Sequence, residues 1–141
     1  MFLQSDDKLI SNIKDLGFEV KSHKRDGING MKKMIKYDSI PPIEKILGLL
    51  KLINKEYVLS FFDFFHPQIS DPGAYCNAVV ISDATVSYME GNHGWTSKWK
   101  EVSSEDFALF IQKNWDKDDG SKQFENCILL EHNKAGNPKY A

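Results

Sequence analysis

The sequence predicts an α+β fold, in which a twisted, mostly antiparallel sheet packs against about three helices in a single domain. The length of 141 residues and the hydrophobic content of 41% fit one domain with a substantial core. Three segments repeat apolar residues at helical spacing, and the segments between them alternate apolar with polar residues or are rich in aromatic side chains. Short turns separate neighbouring predicted strands, which favours antiparallel pairing.

Each predicted helix begins at a recognisable cap. Ser5 is a good N-cap for the first helix, and Gly17 is a natural end for it. The residues Ile-Pro-Pro at 40–42 open the second helix, because proline suits a first turn. Ser103 and Asp106 form an approximate capping box, which predicts the start of the third helix.

Strands are predicted at residues 18–22, 31–37, 57–66, 74–82, 85–90, 95–102 and 124–132. The segment 57–66 (YVLSFFDFFH) carries apolar residues on both parities, which predicts an inner strand covered on both faces. Residues 134–141 are expected to form a flexible tail that follows the domain of residues 1–133.

Charge is unevenly distributed along the chain. Residues 1–40 hold 8 Lys or Arg against 6 Asp or Glu, whereas residues 56–97 hold 5 acids and no Lys or Arg. The pI is near 6.1 and there is a single arginine, so the chain lacks the basic stripe of a nucleic-acid-binding protein. We therefore expect no direct contact with nucleic acid, and a basic protein partner fits the acidic region better.

No motif for catalysis, a cofactor or a metal is present, and we expect none of these functions. None of the four histidines has a second His or Cys at metal-ligand spacing. Cys76 and Cys127 lie far apart and are interpreted as buried thiols of a reducing compartment. No apolar run is long enough to span a bilayer, and the first residues do not have the pattern of a signal peptide, so we expect no membrane association.

Four features allow two interpretations each. Glu90 and His93 flank a turn and form either an acid–base pair or a polar hairpin turn. Asp63 is either buried with a partner or placed at a sheet edge. Trp95 and Trp99 share a strand face that is either core or an exposed aromatic patch.

The acidic turn 116–120 (DKDDG) does not fit an EF-hand calcium loop, because its glycine comes one residue early. It is therefore either a recognition element or a solvated loop.

Residues 79–126 resemble the small bacterial immunity proteins that neutralise polymorphic toxins, especially those of contact-dependent growth inhibition systems. The shared features are the strand residues Asp83, Val86 and Tyr88, the helix start SSEDF, and the acidic turn DKDDG. The helix residues Phe107, Phe110 and Ile111 also match. This resemblance covers about a third of the chain. It implies a cytoplasmic, non-enzymatic inhibitor that binds the C-terminal domain of one cognate toxin, often a nuclease.

The expected partner-binding surface combines acids, which would steer a basic nuclease domain, with an aromatic anchor. It consists of Glu90, Trp95, Glu101, Asp116, Asp118 and Asp119. Two rival hypotheses remain open. One is a small hydrolase or nuclease that uses His93, Glu90 and Asp63, and the other is a ligand-binding module with an apolar pocket between the sheet and the helices.

Overall fold

The computed structural model describes residues 5–28, 30–61, 75–91, 99–115 and 127–138. Within these ranges the chain forms three helices, α1 (Asp6–Asp15), α2 (Ile43–Leu52) and α3 (Ser104–Asn114). It also forms seven strands, β1 (Glu19–Ser22), β2 (Lys32–Lys36), β3 (Tyr57–Phe61), β4 (Tyr75–Ser82), β5 (Thr85–Gly91), β6 (Lys100–Ser103) and β7 (Cys127–His132). The predicted α+β class is therefore confirmed.

The strands of the described ranges form one open, antiparallel sheet in the order β1-β2-β7-β3-β4-β5-β6. Strand β7, the last in the chain, lies between β2 and β3 and joins the N-terminal hairpin to the run of strands from β3 to β6. Strand β3 has a neighbour on each side, which confirms its predicted inner position. Strands β1 and β6 lie at opposite edges of the sheet.

Local signals position the first helix as the sequence predicts. The hydroxyl of Ser5 accepts a hydrogen bond of 3.1 Å from the backbone N–H of Lys8 and so satisfies one donor of the first turn. Gly17 follows the helix with φ of 104°, a conformation that side chains other than glycine rarely adopt. The ammonium group of Lys45 in α2 donates to the backbone carbonyl of Leu16, so the end of α1 is tied to α2.

Helix α3 is attached to the sheet at its first turn. Ser103 is the last residue of β6 and also the N-cap, because its hydroxyl accepts a hydrogen bond of 3.1 Å from the backbone N–H of Asp106. The next residue, Ser104, donates through its N–H to the carbonyl of Ala84 and through its hydroxyl to the carbonyl of Asp83. The turn between β4 and β5 is thereby held against the start of α3.

The hydrophobic core lies between the helices and one face of the sheet. Cross-strand partners on this face are apolar, as in Ile35↔Ile128, Leu59↔Leu130 and Val80↔Val86. The core is completed by residues of the three helices, namely Leu9, Ile13, Ile46, Leu49, Leu50, Phe107, Ala108 and Ile111. Burial of this common face contributes the main favourable free energy of folding.

The opposite face of the sheet is also partly buried. Val79 and Ser87 are cross-strand partners of β4 and β5, alternate with the helix-side residues, and are both fully buried. Val58 and Ser60 of β3 are half-buried on this face. The prediction that β3 is covered on both faces is therefore only partly confirmed within its described residues.

Some predicted details differ or lie outside the described residues. The strand predicted over 95–102 is seen only as β6 from Lys100, since residues 92–98 are not described, and Trp99 before it is half-buried. Cys127 was expected to be buried but is half-buried, because it begins β7. The side chain of Asn133 bonds the backbone of Lys55 and Asn137, which ties part of the predicted tail to the domain.

Candidate functional site

The predicted partner-binding residues are only partly described. Glu101 lies on the edge strand β6 with an exposed side chain, as a contact residue requires. Glu90 occupies a position in β5, the neighbouring strand. Register pairs Glu101 with Ser87, so the positions of Glu90 and Glu101 fall on opposite faces of the sheet. Trp95, Asp116, Asp118 and Asp119 lie outside the described residues, as do His93 and Asp63.

Exposed acids occur in three segments that meet at the start of α3, namely the turn between β4 and β5, strand β6 and the first turn of α3 itself. Their positions follow from the contacts that hold Ser104 to the turn between β4 and β5. We call this group the acidic end, and it consists of Asp83, Glu101, Glu105 and Asp106, all exposed. Lys100 is an exposed base in the same strand as Glu101. Glu105 and Asp106 lie in the first turn of α3, where the helix dipole favours acids, so they have a structural role as well.

Strands β1 and β2 form a hairpin at the other edge of the sheet, which we call the basic hairpin because it carries Lys21, Lys32, Lys33 and Lys36. Three of its cations have carboxylate partners: Lys21 lies 3.1 Å from Glu19, Lys32 lies 4.0 Å from Glu131 of β7, and Lys33 is bonded to Asp26. The hairpin and strand β6 therefore lie at opposite edges of the sheet.

A second group of polar residues, which the sequence did not predict as a site, lies where α1, β3 and β7 meet. The carboxylate of Asp6 accepts a hydrogen bond of 2.7 Å from the Tyr57 hydroxyl. Nε2 of His132 lies 3.0 Å and 2.9 Å from the two oxygens of the same carboxylate. The rings of Tyr57 and His132 are 5.7 Å apart between centroids. One carboxylate therefore joins the first turn of a helix to two neighbouring strands.

These contacts form one wall of a cleft of about 340 Å³, which we call the His132 cleft. Each of its lining residues carries a polar or charged group, and they include Asp6, Asn54, Glu56, Tyr57, His132 and Lys134. The side chains of Asp6 and His132 are each 37% exposed, so the cleft is open to solvent. A small polar molecule has access to both.

The environment of the cleft shifts the acidity of two of its groups. Burial alone would raise the pKa of Asp6, but the hydrogen bonds from Tyr57 and His132 and the charge of His132 outweigh it and lower that pKa below 3.8. Burial raises the pKa of the Tyr57 hydroxyl, and the bonded Asp6 carboxylate raises it further. Asp6 is consequently ionised near neutral pH, and Tyr57 keeps its proton.

Metal binding finds no support in the described residues. In those ranges no three His, Cys, Asp or Glu side chains are grouped so that they could hold a metal ion. The same part of the chain has no helix long and apolar enough to cross a membrane.

Local sequence patterns could not have shown the His132 cleft. Asp6 is an acid in the first turn of α1 and His132 is the last residue of β7, and neither position by itself indicates a site. The two residues are 126 positions apart, and only the insertion of β7 beside β3 brings them together.

Comparisons with protein-family models, with curated proteins and with solved structures find no match to this chain.

Proposed function

We propose that this protein is a cytoplasmic immunity protein that binds and neutralises a basic toxin domain, such as a nuclease, through its acidic end. The observation that carries the proposal is that four exposed acids, Asp83, Glu101, Glu105 and Asp106, occur in the turn between β4 and β5, in the edge strand β6 and in the first turn of α3. The resemblance of residues 79–126 to immunity proteins supports the same function, and these four acids lie within that segment.

The acidic end suits an inhibitor for two physical reasons. A patch of one sign steers a partner of the opposite sign and raises the rate of association. Carboxylates can also form ion pairs with the cationic side chains that a nuclease uses to bind phosphates. Leu109, which is 52% exposed, lies one helical turn after Glu105 and adds apolar area beside the acids.

The proposal is tested by co-expressing this chain with the C-terminal domain of whatever large protein is encoded immediately upstream of it. We expect an equimolar complex and loss of the toxic activity. The double variant Glu101→Gln, Glu105→Gln should bind more weakly, and the salt dependence of its affinity should be smaller. The matched control is Glu19→Gln, Glu44→Gln, which removes two exposed carboxylates elsewhere on the protein and should leave affinity unchanged.

Two results would contradict inhibition through the acidic end. One is the absence of any complex, and the other is a complex whose affinity responds equally to both double variants. The second result would retain an inhibitor but move its contact surface away from the acidic end.

The rival hypotheses gain less support from the described residues. His93 and Asp63 lie outside them, so the proposed acid–base group of a hydrolase stays a prediction. A ligand-binding module was expected to have a large apolar pocket, whereas the His132 cleft, of about 340 Å³, is lined by residues that all carry a polar or charged group.

A further inference from the structure

The turn between β1 and β2 presents an isoleucine to solvent. We call this turn, of which residues 23–28 and 30 are described, the hairpin tip. Ile28 is 69% exposed, more than any other large apolar side chain in the described part of the chain. Its backbone N–H donates to the carbonyl of Arg25, and the N–H of Gly27 donates to the carbonyl of Gly30. These bonds fix the turn and leave the side chain of Ile28 uncovered.

Three cations of the hairpin tip have no acidic partner. Lys24 and Arg25 are exposed residues of the turn itself. Lys134, which follows β7, is also exposed, and its side chain packs against the tip, since Nζ would lie 3.3 Å from a Cβ atom placed on Gly30. None of the three cations forms an ion pair with a carboxylate of the described residues. All three are therefore available to an anionic partner.

Two acids near the hairpin tip are already paired with other lysines. The carboxylate of Asp26 accepts hydrogen bonds from the ammonium of Lys33 and from the backbone N–H of Lys32. Glu131 lies 4.0 Å from the ammonium of Lys32. Burial lowers the pKa of His23, and the positive charges of nearby lysines and of the single arginine lower it further. The local potential at the tip is consequently positive.

We propose that the hairpin tip docks on an anionic lipid surface, with Ile28 inserted below the headgroups and the three cations bonded to headgroup phosphates. An apolar side chain flanked by basic residues is the combination that binds such surfaces. This contact needs neither a spanning segment nor a signal peptide, whose absence from the sequence was the ground for expecting no membrane association. The tip belongs to the edge of the sheet opposite β6, so this binding is independent of the proposed inhibition of a toxin.

The exposed isoleucine favours lipid over other anionic partners. Sites for single-stranded nucleic acid stack bases on aromatic side chains, and residues 23–30 contain no Phe, Tyr or Trp. A protein interface requires a large complementary area, which one apolar side chain and three cations do not provide. A lipid surface accommodates both features, because its acyl boundary takes Ile28 and its charged headgroups take the cations.

The test is co-sedimentation of the full chain with lipid vesicles. One set consists of phosphatidylcholine alone, and the other of equal parts phosphatidylcholine and phosphatidylglycerol. We expect binding to the second set only, and weaker binding as the salt concentration rises. Ile28→Ser should weaken binding about tenfold, because it removes the inserted apolar side chain. The double variant Lys24→Gln, Arg25→Gln should weaken it about twentyfold, because it removes two charges that attract the headgroups.

Two matched controls make the same chemical changes elsewhere on the protein. Ile40→Ser removes an isoleucine that lies before α2 and is 50% exposed. Lys51→Gln, Lys113→Gln removes two exposed lysines, one from α2 and one from α3. Both controls should bind the vesicles as the wild type does. All the replaced side chains are exposed, so the variants should fold, and their thermal unfolding verifies this.

Four results would overturn lipid docking by the hairpin tip. The first is equal binding to the two sets of vesicles, and the second is an equal loss in a tip variant and its control, which would show only general attraction. The third is binding that Ile28→Ser leaves unchanged, because the apolar insertion would then be absent. The fourth is a higher affinity for a short DNA duplex than for the vesicles, which would assign the tip to nucleic acid.

Discussion

Nε2 of His132 lies 2.9 Å from Oδ2 of Asp6, although 126 residues separate them in the sequence. The same carboxylate accepts a hydrogen bond of 2.7 Å from Tyr57, so α1, β3 and β7 share one polar junction. This junction also orients the imidazole, because Nε2 is engaged and Nδ1 is turned towards Gly30 and Lys134. Asp6 therefore ties the first turn of α1 to both β3 and β7.

Replacement of Asp6 by Asn should lower the free energy of unfolding by about 1 kcal/mol, because an amide loses the charge-assisted hydrogen bonds from His132 and Tyr57. The partial exposure of the junction keeps the effect from being larger. Urea denaturation near neutral pH measures it. Asp7→Asn is the control, since Asp7 is an exposed acid in the same helical turn. Equal destabilisation by both variants would show that only the helix dipole was affected.

Asp26 should make stability dependent on pH in the acid range. The hydrogen bond from the Lys33 ammonium and the backbone N–H of Lys32 hold the pKa of Asp26 at about 2, below the usual 3.8. Because the folded pKa is the lower one, this stabilisation is fully present above pH 3.8 and is lost as pH falls towards 2. It is at most about 2 kcal/mol, since one pKa unit corresponds to about 1.4 kcal/mol and the site is partly solvated.

The check is the difference in unfolding free energy between the wild type and Asp26→Asn, measured from pH 6 to pH 2. This difference should be constant down to about pH 4.5 and should then shrink. Asp38→Asn, which changes an exposed carboxylate after β2, should show no such trend. A constant difference throughout would mean that the Lys33 contact contributes nothing that depends on the charge of Asp26.

Replacement of Ser103 by Ala should cost about 1 kcal/mol, because the backbone N–H of Asp106 loses its acceptor in the first turn of α3. Thermal or urea unfolding measures this loss. Ser103→Thr keeps a hydroxyl at the N-cap and should restore most of the stability. If threonine were no better than alanine, the contribution of Ser103 would lie elsewhere, for example in its pairing with Thr85.

Structural features that depend on only a few neighbouring residues, such as helix caps, could be predicted from the sequence. The caps Ser5 and Ser103 and the stop at Gly17 act within a few residues, and the structure has each at its predicted place. The hairpin of β4 and β5 likewise follows from alternation on both sides of a short turn. Such features need only the neighbouring chain to form.

The position of each strand in the sheet could not be predicted in the same way, because it depends on residues far apart in the sequence. Nothing in the sequence of β7 indicates that it lies between β2 and β3, because its apolar pattern would suit several neighbours. The His132 cleft depends on that placement. The acidic end was predicted only in part, since Glu101 was expected in a contact surface but the role of the turn at Asp83 became visible only with its bonds to Ser104.

The two faces of α3 offer a direct test of where the core lies. Ile111 is buried among the core residues, whereas Leu109, two positions earlier, is 52% exposed. Ile111→Ala should lower the free energy of unfolding by about 2–5 kcal/mol, because it removes buried apolar area and leaves a cavity. Leu109→Ala should change it by less than about 0.5 kcal/mol, as for most surface substitutions. Urea denaturation of both variants measures these effects, and a larger loss for Leu109→Ala would show that its side chain is covered in solution.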